Sequence, residues 1–319
     1  MPSVGQRVLR AALTLLAVSI LTFALTALLP GDPALTILGP TATPQALAKV
    51  RADMHLNDPL PSRYATWITN AVQGDLGTSY GSGRSVSSQI GQALPITLEI
   101  VFIAMLLSLA LAIPIGMLCA HRAGSSVDRA ASGAMFGLLA VPSLVAGIIL
   151  VLVFAIWLHW LPPAGWTNFS DDPVDNLRRA LLPALALALP QIAIFSRLLR
   201  GDMRATLDQD YVAFADSKGL STRRVLFGHA LRPSSFSLLT YAGLAVGFLI
   251  STGVVIERLF NIPGMGSLIV QAINERDLVL VQGVTLVVAT VFVVINLVVD
   301  LLYAVLDPRI RRHHVDTTS

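Results

Sequence analysis

Apolar residues in this chain are gathered into six long blocks, at residues 8–29, 94–120, 130–157, 180–199, 235–256 and 281–306. Each reaches about 20 residues, the length a helix needs to cross the hydrocarbon of a bilayer. A transmembrane barrel would show short segments alternating between apolar and polar positions, and no such pattern occurs. The blocks therefore predict an all-α integral membrane protein with six transmembrane helices. Pro114, Pro142, Pro183 and Pro190 fall inside them. A bundled helix tolerates such prolines because its neighbours satisfy the carbonyls left free. The first block follows Arg7 and Arg10 as a signal peptide would. It exceeds the ~7–15 residues of a signal core and no small-x-small cleavage pattern follows, so it is read as a retained first span.

The charged residues between the blocks orient the chain. With the N-terminus in the cytoplasm, Arg7, Arg10, Arg122, Arg129, Arg197, Arg200, Arg204, Lys218, Arg223, Arg224, Arg232, Arg309, Arg311 and Arg312 lie inside. A smaller set lies outside: Lys49, Arg51, Arg63, Arg84, Arg178, Arg179, Arg258 and Arg276. Basic residues favour the inner side, so both termini are expected in the cytoplasm. The organisation that follows is a tail and first span (residues 1–30), an extracytoplasmic cap (31–93), a core of five further spans (94–306) and a cytoplasmic tail (307–319). The core carries a cytoplasmic loop at 200–234 and an outer segment at 257–280. Within the cap, Thr43 reads as an N-cap with Pro44 at the first helical position. A second short helix carries Tyr64 and Trp67, and "GDLGTSYGSGRS" reads as a turn region. In the outer segment "IPGMGSL" reads as a Pro-Gly turn leading into an amphipathic helix at 267–274.

Composition agrees: 54% of residues are hydrophobic and 13% charged, against roughly 25% charged in soluble domains. The net charge of +3 is spread between blocks rather than clustered, which argues against nucleic acid as a partner. The one cysteine, Cys119, sits in an apolar run and reads as a buried free thiol. There is no G-x-x-x-x-G-K-[ST] loop, zinc-protease signature or CxxC pair. No catalytic or metal-binding residue is therefore assigned, His313 and His314 included.

One polar stretch interrupts the second half of the chain, "DYVAFADSKGLSTRRVLFGHALRPS" at residues 210–234. It reads as two short helices with a joint at Gly219, the second capped by Ser221 or Thr222. Such a pair rests on anionic lipid or is presented to a groove on a soluble partner. Asp202, Asp208, Asp210 and Asp216 would repel anionic headgroups.

The pattern Ala213-x-Ala215, Gly219 and then "HALRP" resembles the EAA loop of permease subunits in ABC-type importers, within the oligopeptide/dipeptide/nickel branch. "LLPGDP", "GDLGTSY" followed by "LPITLE", "VPSLVAGIILVLVFA" running into "LPPAG", "ERLFNIPGMGSLIVQAINERDLVLVQG" and "DLLYAVLDPRIRR" extend the resemblance over nearly the whole chain. "LLPGDP" and the long first outer segment are similar to the first-type subunit of the permease pair. Ala213 stands where the family pattern has Glu, and Asp210 and Asp216 are the acids near enough to replace it.

The resemblance implies a type I ABC importer permease fold in the bacterial cytoplasmic membrane. Its function would be binding-protein-dependent import, of di- or oligopeptides, or alternatively of nickel or another small solute. It implies a homologous second permease, two ATP-binding subunits that hold ATP and Mg, an extracytoplasmic solute-binding protein and lipid as partners, and no cofactor on this chain. Asp210, Ala213, Ala215, Asp216, Lys218, Gly219, Leu220, Ser221, Arg223 and Arg224 would form the ATPase-coupling loop. Phe260, Pro263, Gly264 and Gly266, with Tyr80 and Trp166, would meet the binding protein from an exposed outer face.

Glu99, Asn296 and Asp300 are polar groups in or near spans. Glu99 and Asp300 sit near span ends and read as capping or packing partners, Arg309 being available to Asp300. Asn296 reads as an interhelical hydrogen-bonding group. Gly133 and Gly137, and Gly243 and Gly247, permit close helix contact within the chain or with a sister subunit. A secondary transporter is the main rival and predicts ionisable residues in mid-span. A membrane scaffold or receptor is the other.

Overall fold

The computed structural model of the protein describes residues 4–28, 33–39, 42–53 and 57–306. Thirteen helices are labelled in chain order: α1 (Val4–Leu28), α2 (Pro33–Leu38), α3 (Pro44–Asp53), α4 (Leu60–Val72), α5 (Val86–His121), α6 (Ser126–Ala140), α7 (Ser143–Leu150), α8 (Pro173–Leu207), α9 (Asp210–Ser217), α10 (Thr222–Arg224), α11 (Leu231–Leu259), α12 (Met265–Asn274) and α13 (Leu278–Leu306). Wider π-helical turns continue α7 over Val151–Trp157 and join α10 to α11 over Val225–Ala230. Among the described residues, α1, α5, α8, the α10–α11 run and α13 are each long and apolar enough to cross a membrane.

The block at 130–157 is not the straight span its hydropathy predicts. It forms a broken pair, Ser126–Ala140 and Ser143–Trp157, bent by 102°. Proline disfavours the helical conformation in the residue before it. Val141, ahead of Pro142, is accordingly extended at φ −88°, ψ 117°, and α6 stops at Ala140. Counted as one crossing, the pair makes the sixth span.

The chain divides into two compact units, the first Met1–Thr97 with Pro263–Leu297, the second Leu98–Ile262 with Val298–Ser319. In the first, α3 begins as its sequence predicts, the Thr43 hydroxyl accepting the Ala46 N–H at 3.3 Å. Helix α4 is fastened to α1 by a 2.8 Å hydrogen bond between the Ser19 and Tyr64 hydroxyls, and Phe23 packs on Tyr64 and Trp67. Leu76, Val86, Ile90, Met265, Leu280 and Val284 form its core. Gly283 is required there, since a β-carbon would stand 2.5 Å from Val86 Cγ1.

The second unit is built around α8. Phe195, Leu199 and Met203 of α8 are fully buried with Ala112 of α5 and Ala230, Leu238 and Ala245 from the α11 side. Phe195 meets Tyr241 edge-on at 5.4 Å. Gly116 of α5 lets Leu199 approach, a β-carbon there falling 3.0 Å from it. Gly243 packs on Val299 within the unit, whereas Gly133 and Gly137 face open space.

Candidate coupling site on the polar loop

Helix α8 ends at Leu207, and the chain re-enters a helix at Asp210, whose acid in the first turn of α9 suits the positive end of the helix dipole. Along α9 the side chains divide sharply. Val212 and Ala215 are buried, while Tyr211 and Phe214, one turn apart, are 48% and 61% exposed. Ala213 also faces out, so the Ala-x-Ala pair is split between core and surface. The ammonium of Lys218 lies 4.5 Å from the centre of the Phe214 ring, a cation on the face of an exposed aromatic. Asp216 belongs to α9, and its side chain falls outside the described residues.

Gly219 ends the helix at φ +76° with nothing within 4 Å of where a β-carbon would be. The residue is needed for its backbone alone: left-handed geometry costs other L-residues about 1–2 kcal/mol. Leu220 is half-buried and Ser221, Arg223 and Arg224 are exposed. Ser221 occupies the N-cap position of α10 without a side-chain capping bond.

The predicted second short helix is not separate. Residues Thr222–Leu259 run as one 38-residue helix, so the polar elbow feeds directly into the fifth span. Pro233 accounts for this form. It cannot donate to the His229 carbonyl one turn back and would crowd it. The chain widens into π turns over Val225–Ala230 instead, and the Tyr211 hydroxyl points at the His229 carbonyl at 3.5 Å. Ser234 donates to Thr206 at 2.9 Å, joining the end of α8 to the start of α11.

Above this loop the α6–α8 contact carries an ion pair that no local pattern announces. Asp128, 2% exposed, receives Nε and a terminal nitrogen of Arg200 at 2.6 and 2.7 Å, and the Gly124 N–H at 2.9 Å. The partners are 72 positions apart in sequence.

The outer residues correct the expectation of an exposed binding-protein face. Phe260 is 2% exposed. It packs on Gly147, where a β-carbon would lie 3.4 Å from its ring, and its carbonyl accepts the Gly165 N–H at 2.8 Å. In the other unit Gly264 and Gly266 are buried and only Pro263 is exposed. The Met265 N–H is bound by Thr97 Oγ1 at 2.8 Å, which draws that turn inward. Tyr80 and Trp166 are half-buried. Burial, reinforced by the Asp277 carboxylate and opposed by Arg63, pushes the Tyr80 phenol up to about 12. Asp277 was not foreseen as a structural centre. Fully buried, it accepts from Ser79 Oγ at 2.6 Å and from the Gly81 N–H at 3.2 Å, and caps α13 through the Leu280 N–H at 3.1 Å.

Asn296 hydrogen-bonds the Phe292 carbonyl at 2.9 Å within its own helix, not across helices as predicted, because that carbonyl lies one turn back and within reach. Glu99 is half-buried with Asn176 in hydrogen-bonding reach. The side chain of Asp300, and Arg309 with it, lie outside the described residues.

Long apolar helices joined through a polar elbow define a multi-pass membrane component. Residues 112–312 match the family "Binding-protein-dependent transport system inner membrane component", and residues 3–101 match its N-terminal companion, "Binding-prot-dependent transport system membrane comp, N-term". The chain belongs to this family, whose members are bacterial inner-membrane permeases of ABC importers. It is 40% identical over 307 residues to a putative peptide transport system permease protein of Brucella abortus, covering 96% of this chain and 98% of that one. It is 36% identical to an oligopeptide transport system permease protein of Bacillus subtilis (96% and 98% covered). It is 35% identical to a glutathione transport system permease protein of Salmonella choleraesuis (96% and 97% covered).

Proposed function

We propose that this chain is the pore-forming permease subunit of an ATP-driven, binding-protein-dependent importer of peptides. A homologous permease completes the translocation pathway, two ATP-hydrolysing subunits with ATP and Mg sit on the cytoplasmic side, and a solute-binding protein delivers cargo from outside. The observation that carries the mechanical part is the exposed Tyr211–Phe214 face of α9, with Lys218 against the Phe214 ring, joined by the Gly219 turn to the 38-residue helix Thr222–Leu259. A short amphipathic helix offering two aromatics suits a groove on a soluble partner. Closing of the ATPases on nucleotide then tilts α9 and, through the unbroken α10–α11 run, biases the spans between inward- and outward-facing states. The peptide, oligopeptide and glutathione specificities in the relatives' names support a peptide-class solute over nickel.

Co-expression with its ATPase and sister subunits tests this reading. Wild-type chain is expected to co-purify an ATPase and restore uptake of labelled di- and oligopeptides. Phe214→Asp is expected to lose both while still inserting in the membrane. ATPase capture that survives this substitution refutes the docking role, and uptake of nickel without peptide refutes the solute class.

A further inference from the structure

A cavity of about 360 Å³ lies between α6 and α8, lined by Ser132, Phe136, Ile194, Arg197, Leu198 and Arg200. Its two cations are not equivalent. Arg200 is consumed by Asp128. Arg197 has no carboxylate among the described residues, and its guanidinium carbon stands 4.5 Å above the centre of the Phe136 ring. Phe136 is itself 58% exposed, so the stacked pair opens to the surroundings rather than to the core. Ser132 and Phe136 lie 6 and 10 residues into α6, roughly 9 and 15 Å along its axis. That helix starts immediately after the Arg122–Ser125 turn on the side where basic residues predominate. An open cation at this level of the bent apolar pair that α6 opens needs a negative counter-charge, and the inner leaflet offers anionic lipid.

We propose that this cavity is a binding site for the headgroup of one anionic phospholipid. The phosphate pairs with Arg197, which Phe136 holds in place by stacking. The acyl chains run along the exposed edge of Phe136 and the apolar flank formed by Ile194 and Leu198. Those apolar walls favour a lipid over a free anion, which would leave them in water. The Asp128–Arg200 clamp forms the floor and keeps α6 and α8 at the spacing that opens the cavity.

The test uses the full-length chain, purified, stripped of lipid and titrated with phosphatidylglycerol or phosphatidylcholine while bound lipid is counted by native mass spectrometry. One phosphatidylglycerol is expected to bind in preference to phosphatidylcholine. Arg197→Gln is expected to weaken it about fivefold, the loss of one near-surface cation, and Arg197→Lys to weaken it less. Ile194→Trp, which fills the cavity without altering its charge, is expected to reduce binding as well, and keeps the test decisive if Arg197→Gln fails to fold. Equal affinity for the two lipids, or undiminished phosphatidylglycerol binding in both Arg197→Gln and Ile194→Trp, overturns the proposal. So does Arg197-dependent binding of inorganic phosphate that phosphatidylglycerol does not displace, which marks a free-anion site.

Discussion

Asp128 and Arg200 share one ion pair but not one environment. The Asp128 side chain keeps 3% of its exposure and that of Arg200 keeps 32%. Removing the arginine strands a buried carboxylate, while removing the carboxylate leaves a guanidinium that reaches water. Arg200→Ala is therefore expected to cost about 3 kcal/mol and Asp128→Asn about 1 kcal/mol, measured as loss of thermal stability of the purified chain. Equal losses would show that burial does not govern the pair. Tyr80 makes a pH-dependent case. The folded protein holds the phenolic proton more tightly than the unfolded chain, whose tyrosines ionise near ~10. Its contribution is complete below that pH and is lost as pH rises towards about 12. Phenolate absorbance, taken as wild type minus Tyr80→Phe, is expected to show the raised midpoint. In Asp277→Asn the midpoint falls but stays above the ordinary tyrosine value, since burial is the larger cause.

At the level of elements, glycines separate backbone need from packing need. Gly219 has the positive φ and empty surroundings, so Gly219→Val strains only the elbow, by about 1–2 kcal/mol. It is expected to weaken ATPase capture while leaving the melting of the spans unchanged, and Gly219→Asn to be better tolerated. Gly283, crowded by Val86, should behave oppositely. Gly283→Ala is expected to lower thermal stability by about 1–3 kcal/mol without touching the elbow. Elements were legible where a local rule wrote them: the Thr43 cap, the Gly219 stop and the long apolar runs. They were illegible where geometry is set by a distant or absent group. Hydropathy reports that residues 130–157 are apolar but not that the chain turns by 102° at Pro142. The second short helix read after Gly219 runs into the fifth span because π turns and the Tyr211 hydroxyl take up the His229 carbonyl that Pro233 leaves free. Phe260 read as an exposed aromatic because its burial depends on Gly147 and Gly165, far off in sequence.

Across the whole molecule, the functional reading rests on which side of the membrane each polar segment occupies. The excess of basic residues around Lys218 predicts that the elbow lies in the cytoplasm and the cap outside. The one native thiol favours a direct test, since Cys119 is 3% exposed and gives little background. With Cys119 replaced by alanine, single cysteines at Lys218 and at Gly83, both exposed, are presented to a membrane-impermeant maleimide. Intact cells whose outer membrane has been made permeable are expected to label the Gly83 position alone, and inverted inner-membrane vesicles the Lys218 position alone. ATPase added to the vesicles is then expected to slow labelling at Lys218, because docking on the Phe214–Lys218 face covers that site. Labelling of Lys218 from outside would reverse the topology and remove the elbow from reach of any cytoplasmic engine. Correct sidedness without protection would keep the topology and move the docking surface to another part of the inner face.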